Sequence, residues 1–361
     1  MVPYVRRVAV DKNGWLTPKE FQDGVALCQS IPGATVMQLA AYVGLRVSGP
    51  LGSLAAFCAF IFPAFGLMLA LTMVYAKSRD AQATLAIFAG LQAIVVSLVA
   101  NAAYEFGRKA IADWRDGVLA LGAAFFIFAG GDPILAICAA ALAGLVAHRS
   151  PQMPAVSPQV PGVRGMGSPT RGAAVFLVLF CAGLAALYFA DRRLFDLATL
   201  MAKVDLFAMG GGFASVPLMY HEMVELRGWF DGRTFMDGIA LGQVTPGPIV
   251  ITATFAGYLL HGFSGATVGT VAVFSPSLIV LWMVFPHFER LRHSAVFQRL
   301  LRGSLASFVG LLLAVAVRLA IAAPWGPASG ALAAAALVAL LLKVDILWVV
   351  LLGAALSWAI L

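Results

Sequence analysis

The stretch GWLTPKEFQDGVALCQSIPG, residues 14–33, returns without a gap as GWFDGRTFMDGIALGQVTPG, residues 228–247. In register the two copies share Gly14/Gly228, Trp15/Trp229, Phe21/Phe235, Asp23/Asp237, Gly24/Gly238, Ala26/Ala240, Leu27/Leu241, Gln29/Gln243, Pro32/Pro246 and Gly33/Gly247. Each copy opens a long apolar run. A duplicated helix break inside apolar sequence is a layout that places ligand sites between repeats at membrane depth.

Composition supports a membrane setting. Hydrophobic residues make up 61% of the chain and charged residues 11%, whereas soluble domains carry roughly 25% charged residues. Uncharged runs such as Gly24–Leu45, Val47–Ala76, Ala81–Tyr104, Gly172–Ala190, Gly238–Leu260, Gly262–Pro286 and Leu319–Leu342 are mostly long enough to cross about 30 Å of hydrocarbon as helices. Shorter runs pair as hairpins about Asp132 and Asp345. The runs are continuously apolar and lack the alternation of a β-barrel. The expected fold is an all-α polytopic membrane protein built from two homologous helical repeats with re-entrant or broken helices.

The repeat extends beyond its opening. Pro63 corresponds to Pro276 and Asp132 to Asp345, one residue short of the opening offset, so a one-residue gap follows the first motif. The expected division is a first transmembrane repeat at 1–148, a Pro-, Ser- and Gly-rich linker at 149–171 and a second transmembrane repeat at 172–361. The second half carries an extra span, Gly172–Ala190, and the glycine-rich Gly210-Gly211-Gly212, neither of which the first half matches. Met1 aligns with Ser215.

Net charge is +7, with basic residues concentrated in short loops. That pattern fits topology and contact with the lipid bilayer, not nucleic acid. Cys28, Cys58, Cys138 and Cys181 lie in apolar runs without CxxC spacing, which suggests neither a disulfide framework nor a metal site. No Ser-His-Asp, metal-ligand or nucleotide-binding spacing emerges, so an enzyme is disfavoured and no cofactor is called for. The glycine triplet lacks the Lys-Ser/Thr of a phosphate-binding loop.

Pro246-Gly247-Pro248 followed by an apolar run reads as a helix restarting at membrane depth. Proline suits a first helical turn, and the free N–H groups and positive dipole end there form an anion site. The first half offers Pro32-Gly33-Ala34-Thr35. The expected shell for an oxyanion is Gln29, Gly33, Ala34, Thr35 and Gln38 from the first half, with Gly210, Gly211, Gly212, Ser215, Gln243, Thr245, Gly247 and Thr252 from the second. Neutral donors suit an anion that must also leave. Taken alone, one Pro-Gly break is more often a kink satisfied by neighbouring helices. The matched Gln and Asp context of two copies favours function.

Ionisable groups within apolar sequence mark functional positions. Glu222, His221, Asp23 and Asp237 are candidates for carrying a coupled proton, set against helix capping for the two aspartates and an interfacial position for Glu222 and His221. Arg46 and Arg318 are expected near helix ends, snorkelling to the interface, and Trp15 and Trp229 anchor there.

Several motifs carry a family resemblance. They are Phe207-Ala208-Met209-Gly210-Gly211-Gly212-Phe213 with Pro217-Leu218, Glu222-Met223-Val224-Glu225 leading to Arg227-Gly228-Trp229, and Asp237-Gly238-Ile239-Ala240-Leu241-Gly242-Gln243 with Pro246-Gly247-Pro248. The first half adds Trp15-Leu16-Thr17, Phe21 to Gln29, and Pro32-Gly33 to Gln38-Leu39-Ala40. Together they resemble the chromate transporter family. That resemblance implies a duplicated inner-membrane carrier with antiparallel halves that moves chromate outward at the expense of the proton-motive force. Sulfate, a similar tetrahedral dianion, is expected to compete at a site of backbone donors. Two departures stand out: Ala34 replaces the family's second proline, and the first half has no glycine-rich segment. A passive anion channel, a sulfate uptake carrier and a non-transporting scaffold are the alternatives, and a homodimer is compatible with each.

Overall fold

The computed structural model describes residues 1–148 and 168–360. The first half runs α1 (Val2–Arg6), a π-helical stretch at 7–12, α2 (Pro18–Ser30), α3 (Thr35–Ser78), α4 (Gln82–Ala110), α5 (Trp114–Phe128) and α6 (Pro133–Ala147). The second runs α7 (Pro169–Ala190), α8 (Arg192–Phe207), α9 (Ser215–Tyr220), a π-helical stretch at 221–226, α10 (Gly232–Val244), α11 (Thr252–Val284), α12 (Phe288–His293), α13 (Ala295–Ala322), α14 (Pro327–Leu341) and α15 (Ile346–Ile360). Helices α2 to α6 recur as α10, α11 and α13 to α15, and even the π-helical stretches correspond. Helices α7 and α8 have no counterpart among the described residues. Helix α7 begins at Pro169, inside the segment read as linker; residues 149–167 lie outside the described ones.

The run Gly24–Leu45 is not one continuous span, since it is interrupted between Ser30 and Thr35. Helix α2 therefore has 13 residues, about 20 Å of helix, too short to cross alone. Thr17 caps α2 in a reciprocal box with Glu20, and Asp231 caps α10. Asp23 and Asp237 lie further along, so the capping expected of them falls to other residues.

Helices α3 and α11 each fold back on themselves. The backbone leaves helical geometry at Ser48 and Gly49 (φ 69°), and again at His261 and Gly262 (φ 62°). Positive φ is where glycine costs least. A methyl group on Gly44 would stand 2.2 Å from the Gly52 carbonyl oxygen, and one on Gly257 2.1 Å from that of Gly265. Residues eight apart on a straight helix are about 12 Å apart, so each helix is a tight hairpin with touching arms. The Thr254 and Thr270 hydroxyls meet across the second hairpin at 2.7 Å. The uncharged runs end at Arg46 and His261, beside these turns; what the sequence does not show is that the two arms touch.

The halves interlock by exchanging partners. Gly303 of α13 lies against α6, where a methyl group would stand 2.1 Å from the Ala140 carbonyl; Gly90 of α4 lies against α15, where it would stand 1.8 Å from Ser357 Oγ. Gly310 of α13 likewise meets the Ala120 carbonyl of α5, while Ser97 of α4 donates to the Ala333 carbonyl of α14 at 2.8 Å. Each short hairpin thus packs on the long helix of the other half, through small residues that let backbones approach.

Among the described residues, five stretches are long and apolar enough to cross a membrane, Thr35–Ser78, Gln82–Ala110, Pro169–Ala190, Ile249–His293 and Ala295–Ala322, the first and fourth being the folded-back hairpins. Exposed Leu121, Phe125, Val146, Val178, Phe189 and Ile321 suit a lipid-facing surface. Arg46 corrects the snorkelling expectation: it is 5% exposed and pairs with Glu20 inside the protein. Arg318 pairs with Glu225 and donates to the Ile127 carbonyl.

Arg302 of α13 binds Asp113 and Asp116 at the start of α5, with its Nη2 2.8 Å from Asp113 and 2.7 Å from Asp116. Burial would raise the Asp116 pKa, but hydrogen bonds from Arg302 and from the Ala112 and Asp113 N–H groups outweigh it and hold it below the usual carboxylate range. Arg302→Met leaves this buried carboxylate with two backbone N–H donors and His148 but without its arginine. The expected loss is about 2 kcal/mol, below the ~3–5 of a fully buried pair because Arg302 is about one-third exposed. Chemical denaturation in detergent measures it. Because the folded carboxylate binds its proton less readily than the unfolded one, the deficit should be full at neutral pH and vanish as pH falls through the lowered value.

Candidate anion site at the helix breaks

Three chain breaks meet between the halves. In the first, Ile31 is extended, Pro32 forms an isolated antiparallel bridge with Met209, and Gly33 donates its N–H to the Ala208 carbonyl at 2.8 Å. Gly33 adopts φ 116°, and a methyl group there would stand 1.9 Å from Ser277 Oγ. No other residue fits this position without displacing Ser277. Helix α3 restarts at Thr35 with Ala34 as N-cap and no side-chain cap.

In the second break, α10 ends at Val244, Thr245 and Pro248 are extended, and a 3-10 turn at Ile249–Ile251 leads into α11, again without a side-chain cap. Gly247 lies against α3, where a methyl group on it would stand 2.7 Å from Ala64 Cβ. The pairing mirrors Gly33 against Ser277. Each break therefore leans on the folded helix of the other half.

The glycine-rich segment forms the third break. Gly210 (φ 91°) packs on Phe106, Gly211 (φ 118°) faces the Thr35 hydroxyl, and a 3-10 turn at Gly212–Ala214 starts without a side-chain cap. A methyl group on Gly212 would stand 3.6 Å from the Ile249 nitrogen and 3.9 Å from Pro248 Cβ. The segment lies between the starts of α3 and of the Ile249–Ile251 turn. The leading N–H groups of all three starts have no intrahelical acceptor. They concentrate positive potential where no cationic side chain is needed.

The expected shell residues divide. Gly33, Thr35, Gly211, Gly212 and Gly247 lie at the breaks, with Ala34 buried beside them. Gln38 lies against the first break with its amide committed: its Nε2 donates to the Pro32 carbonyl at 2.6 Å and to that of Ser277 at 3.4 Å. It is a strut for the break. The hydroxyls of Thr245, Thr252 and Ser215 donate to the carbonyls of Gly242, Ile249 and Gly212, and present only lone pairs outward in this arrangement. Gln29 is exposed on α2, whereas the Gln243 amide nitrogen is buried without a partner beside the second break. Equivalent in sequence, they differ in surroundings.

The ionisable candidates also divide. Glu222 binds both Lys203 and Arg227, and His221 meets Glu225 at 2.9 Å. The Lys203–Glu222 pair ties α8 to the 221–226 stretch, while the other two lie within that stretch and its end. Asp23 pairs with Arg292 at 3.1 Å. Asp237 is 5% exposed and accepts from Tyr75 at 2.8 Å and Gln92 at 2.7 Å, both from the first half. Asp205 and Ser277 escaped the sequence reading, although a lone aspartate in Val204-Asp205-Leu206 was a signal available to it. Ligand atoms of Asp113, Asp116 and His148 lie within 4.8 Å of one another, but Arg302 already occupies both carboxylates. Two mainly apolar cavities of about 410 and 420 Å³ lie elsewhere, one along α1 and α3, the other beside α7.

A duplicated, multi-pass helical protein whose broken helices meet between its halves is built as a membrane transporter. The chain belongs to the chromate transporter family, whose profile matches residues 1–145 and 195–358. That family is one of transporters, not enzymes. An uncharacterized transporter of Methanocaldococcus jannaschii is 42% identical over 360 residues, covering 100% of this chain and 89% of that protein. A chromate transport protein of Pseudomonas aeruginosa is 28% identical over 334 residues, 88% of this chain and 76% of its own, and one of Cupriavidus metallidurans is 28% identical over 325 residues, 88% and 77%. No solved structure matches.

Gly33→Ala should collapse the first break against Ser277 and lower anion flux more than about tenfold, since a misplaced ligand shell of ~1 Å costs that much or more. Gly66→Ala, with open space around it, should leave flux unchanged. Flux into vesicles, normalised to folded protein, separates the two.

Proposed function

We propose that this protein is a secondary carrier of chromate, residing in the inner membrane and moving the anion outward under the proton-motive force. The observation that carries the reading is the meeting of three uncapped helix starts, at Thr35, Gly212 and Ile249, between the two halves. A tetrahedral dianion there takes hydrogen bonds from backbone N–H groups and the Gln243 amide. It gives up hydration for preorganised dipoles and can leave, because no Lys or Arg among the described residues holds it. Such donors separate chromate from sulfate poorly, so sulfate competes.

The two halves are inverted relative to each other in the membrane. Gly107 of α4 lies against Val309 of α13, 3.4 Å from a methyl position on the glycine. Exchanging the halves carries this contact to Ala320 and Val96, so α4 ascending meets α13 descending. That supports antiparallel long helices and an exchange axis lying in the membrane plane. Alternating access then follows from one repeat rocking against the other about the breaks.

Purified protein in liposomes, with an imposed membrane potential or pH gradient, tests the proposal. Labelled chromate should flow, respond to the imposed force, exchange in counterflow and slow when sulfate is in excess. Absence of flux for either anion would defeat the carrier reading. Flux indifferent to the force and without counterflow would make the protein a channel.

A further inference from the structure

Asp205, in the last turn of α8, is 1% exposed. Ser277 Oγ donates to its Oδ1 at 2.9 Å, and its Oδ2 has no hydrogen-bond partner among the described residues. An ionised carboxylate with so little solvation is costly unless a cation compensates. None does. Lys203, on the same helix, turns to Glu222. The 215–226 segment packed on α8 carries Tyr220, His221, Glu222 and Glu225; His221 pairs with Glu225, Glu222 with Lys203 and Arg227, and Glu225 also with Arg318, while Asp132 at the start of α6 lies alongside Lys203, Val204 and Glu222. The adjoining α11 carries only Tyr258 and His261, the latter at its turn, and α7 carries Arg171, Cys181 and Tyr188.

The carboxyl group stands directly behind the first break. Ser277 Oγ, its partner, is the atom a methyl group on Gly33 would strike, and the Ala208 carbonyl that takes the Gly33 N–H lies one turn beyond Asp205. Gln38 Oε1, packed about the same serine, is a second buried acceptor without a donor. Two orphan acceptors around one serine are short of a hydrogen, and a proton on Asp205 Oδ2 supplies one.

We propose that Asp205 binds the proton linked to anion occupancy: its carboxylate takes one proton from water as a dianion enters the breaks and returns it when the dianion leaves. The inference rests on the anion reading of the breaks. Only an O–H bond is made or broken. A carboxylate and a dianion repel strongly in a low-dielectric interior, whereas a neutral acid beside the dianion does not. Linkage then requires that anion binding draw a proton in, and that protonation tighten anion binding by at most about tenfold per pH unit. Bound together, proton and dianion leave as a net single negative charge, so the membrane potential, not the pH difference, is the component that can drive efflux.

The test measures proton uptake in weakly buffered, detergent-solubilised protein as chromate, adjusted to the same pH of about 8, is added, with chromate binding followed in parallel. The native chain should take up protons in step with binding. Asp205→Asn should bind chromate with no uptake. Ser277→Ala, which removes the carboxylate's side-chain donor and so favours its protonated form beforehand, should bind with diminished uptake; it supplies the comparison if Asp205→Asn does not fold. Binding without uptake by the native chain, or undiminished uptake by either variant, would overturn the assignment to Asp205. Absence of chromate binding by the folded native chain would instead defeat the anion reading, and this inference with it.

Discussion

The hydrogen bond from Gly33 N–H to the Ala208 carbonyl, with the Pro32–Met209 bridge beside it, is the constraint on which the rest depends. Backbone that leaves helical geometry at membrane depth must find its partners within the protein. Here the first half's break satisfies itself on the end of α8 from the second half, and Gln38 ties off the Pro32 carbonyl. What remains unsatisfied is the set of N–H groups at the three helix starts. That remainder is the proposed function: donors held in place by a structure that has already committed its acceptors elsewhere.

The same constraint explains why the halves are alike in frame and unlike in detail. Gly33 leans on Ser277 and Gly247 on Ala64, which are equivalent positions, but only the first pairing carries a hydroxyl. That hydroxyl reaches Asp205 on α8, a helix the first half does not match among the described residues. Asp23 and Asp237 diverge for a similar reason. The first finds Arg292 near the surface, whereas the second is enclosed by Tyr75 and Gln92 of the opposite half. A duplicated sequence thus yields one asymmetric polar core.

Much of this frame was legible in the residues. The register of Pro32-Gly33 with Pro246-Gly247 located both breaks, and Asp132 and Asp345 marked the hairpins at which α6 and α15 begin. Such features are legible because proline, glycine and capping aspartates act locally. The run boundaries at Arg46 and His261 fall beside the backward folds, but the closeness of their arms was not legible, since it depends on glycine pairs eight residues apart whose contact exists only after folding. Nor could spacing show that Gln38 would turn to the Pro32 carbonyl, that Arg46 would find Glu20, or that Gln29 and Gln243 would part company. Those outcomes are set by neighbours distant in sequence.

The central claim, that an oxyanion sits where the three uncapped starts meet, is tested most directly by a density map of the protein determined with chromate. Density for a tetrahedral anion bounded by Thr35, Gly211–Gly212 and Ile249 is the expected result. Bound anion elsewhere, with these N–H groups facing only water or lipid, would contradict it.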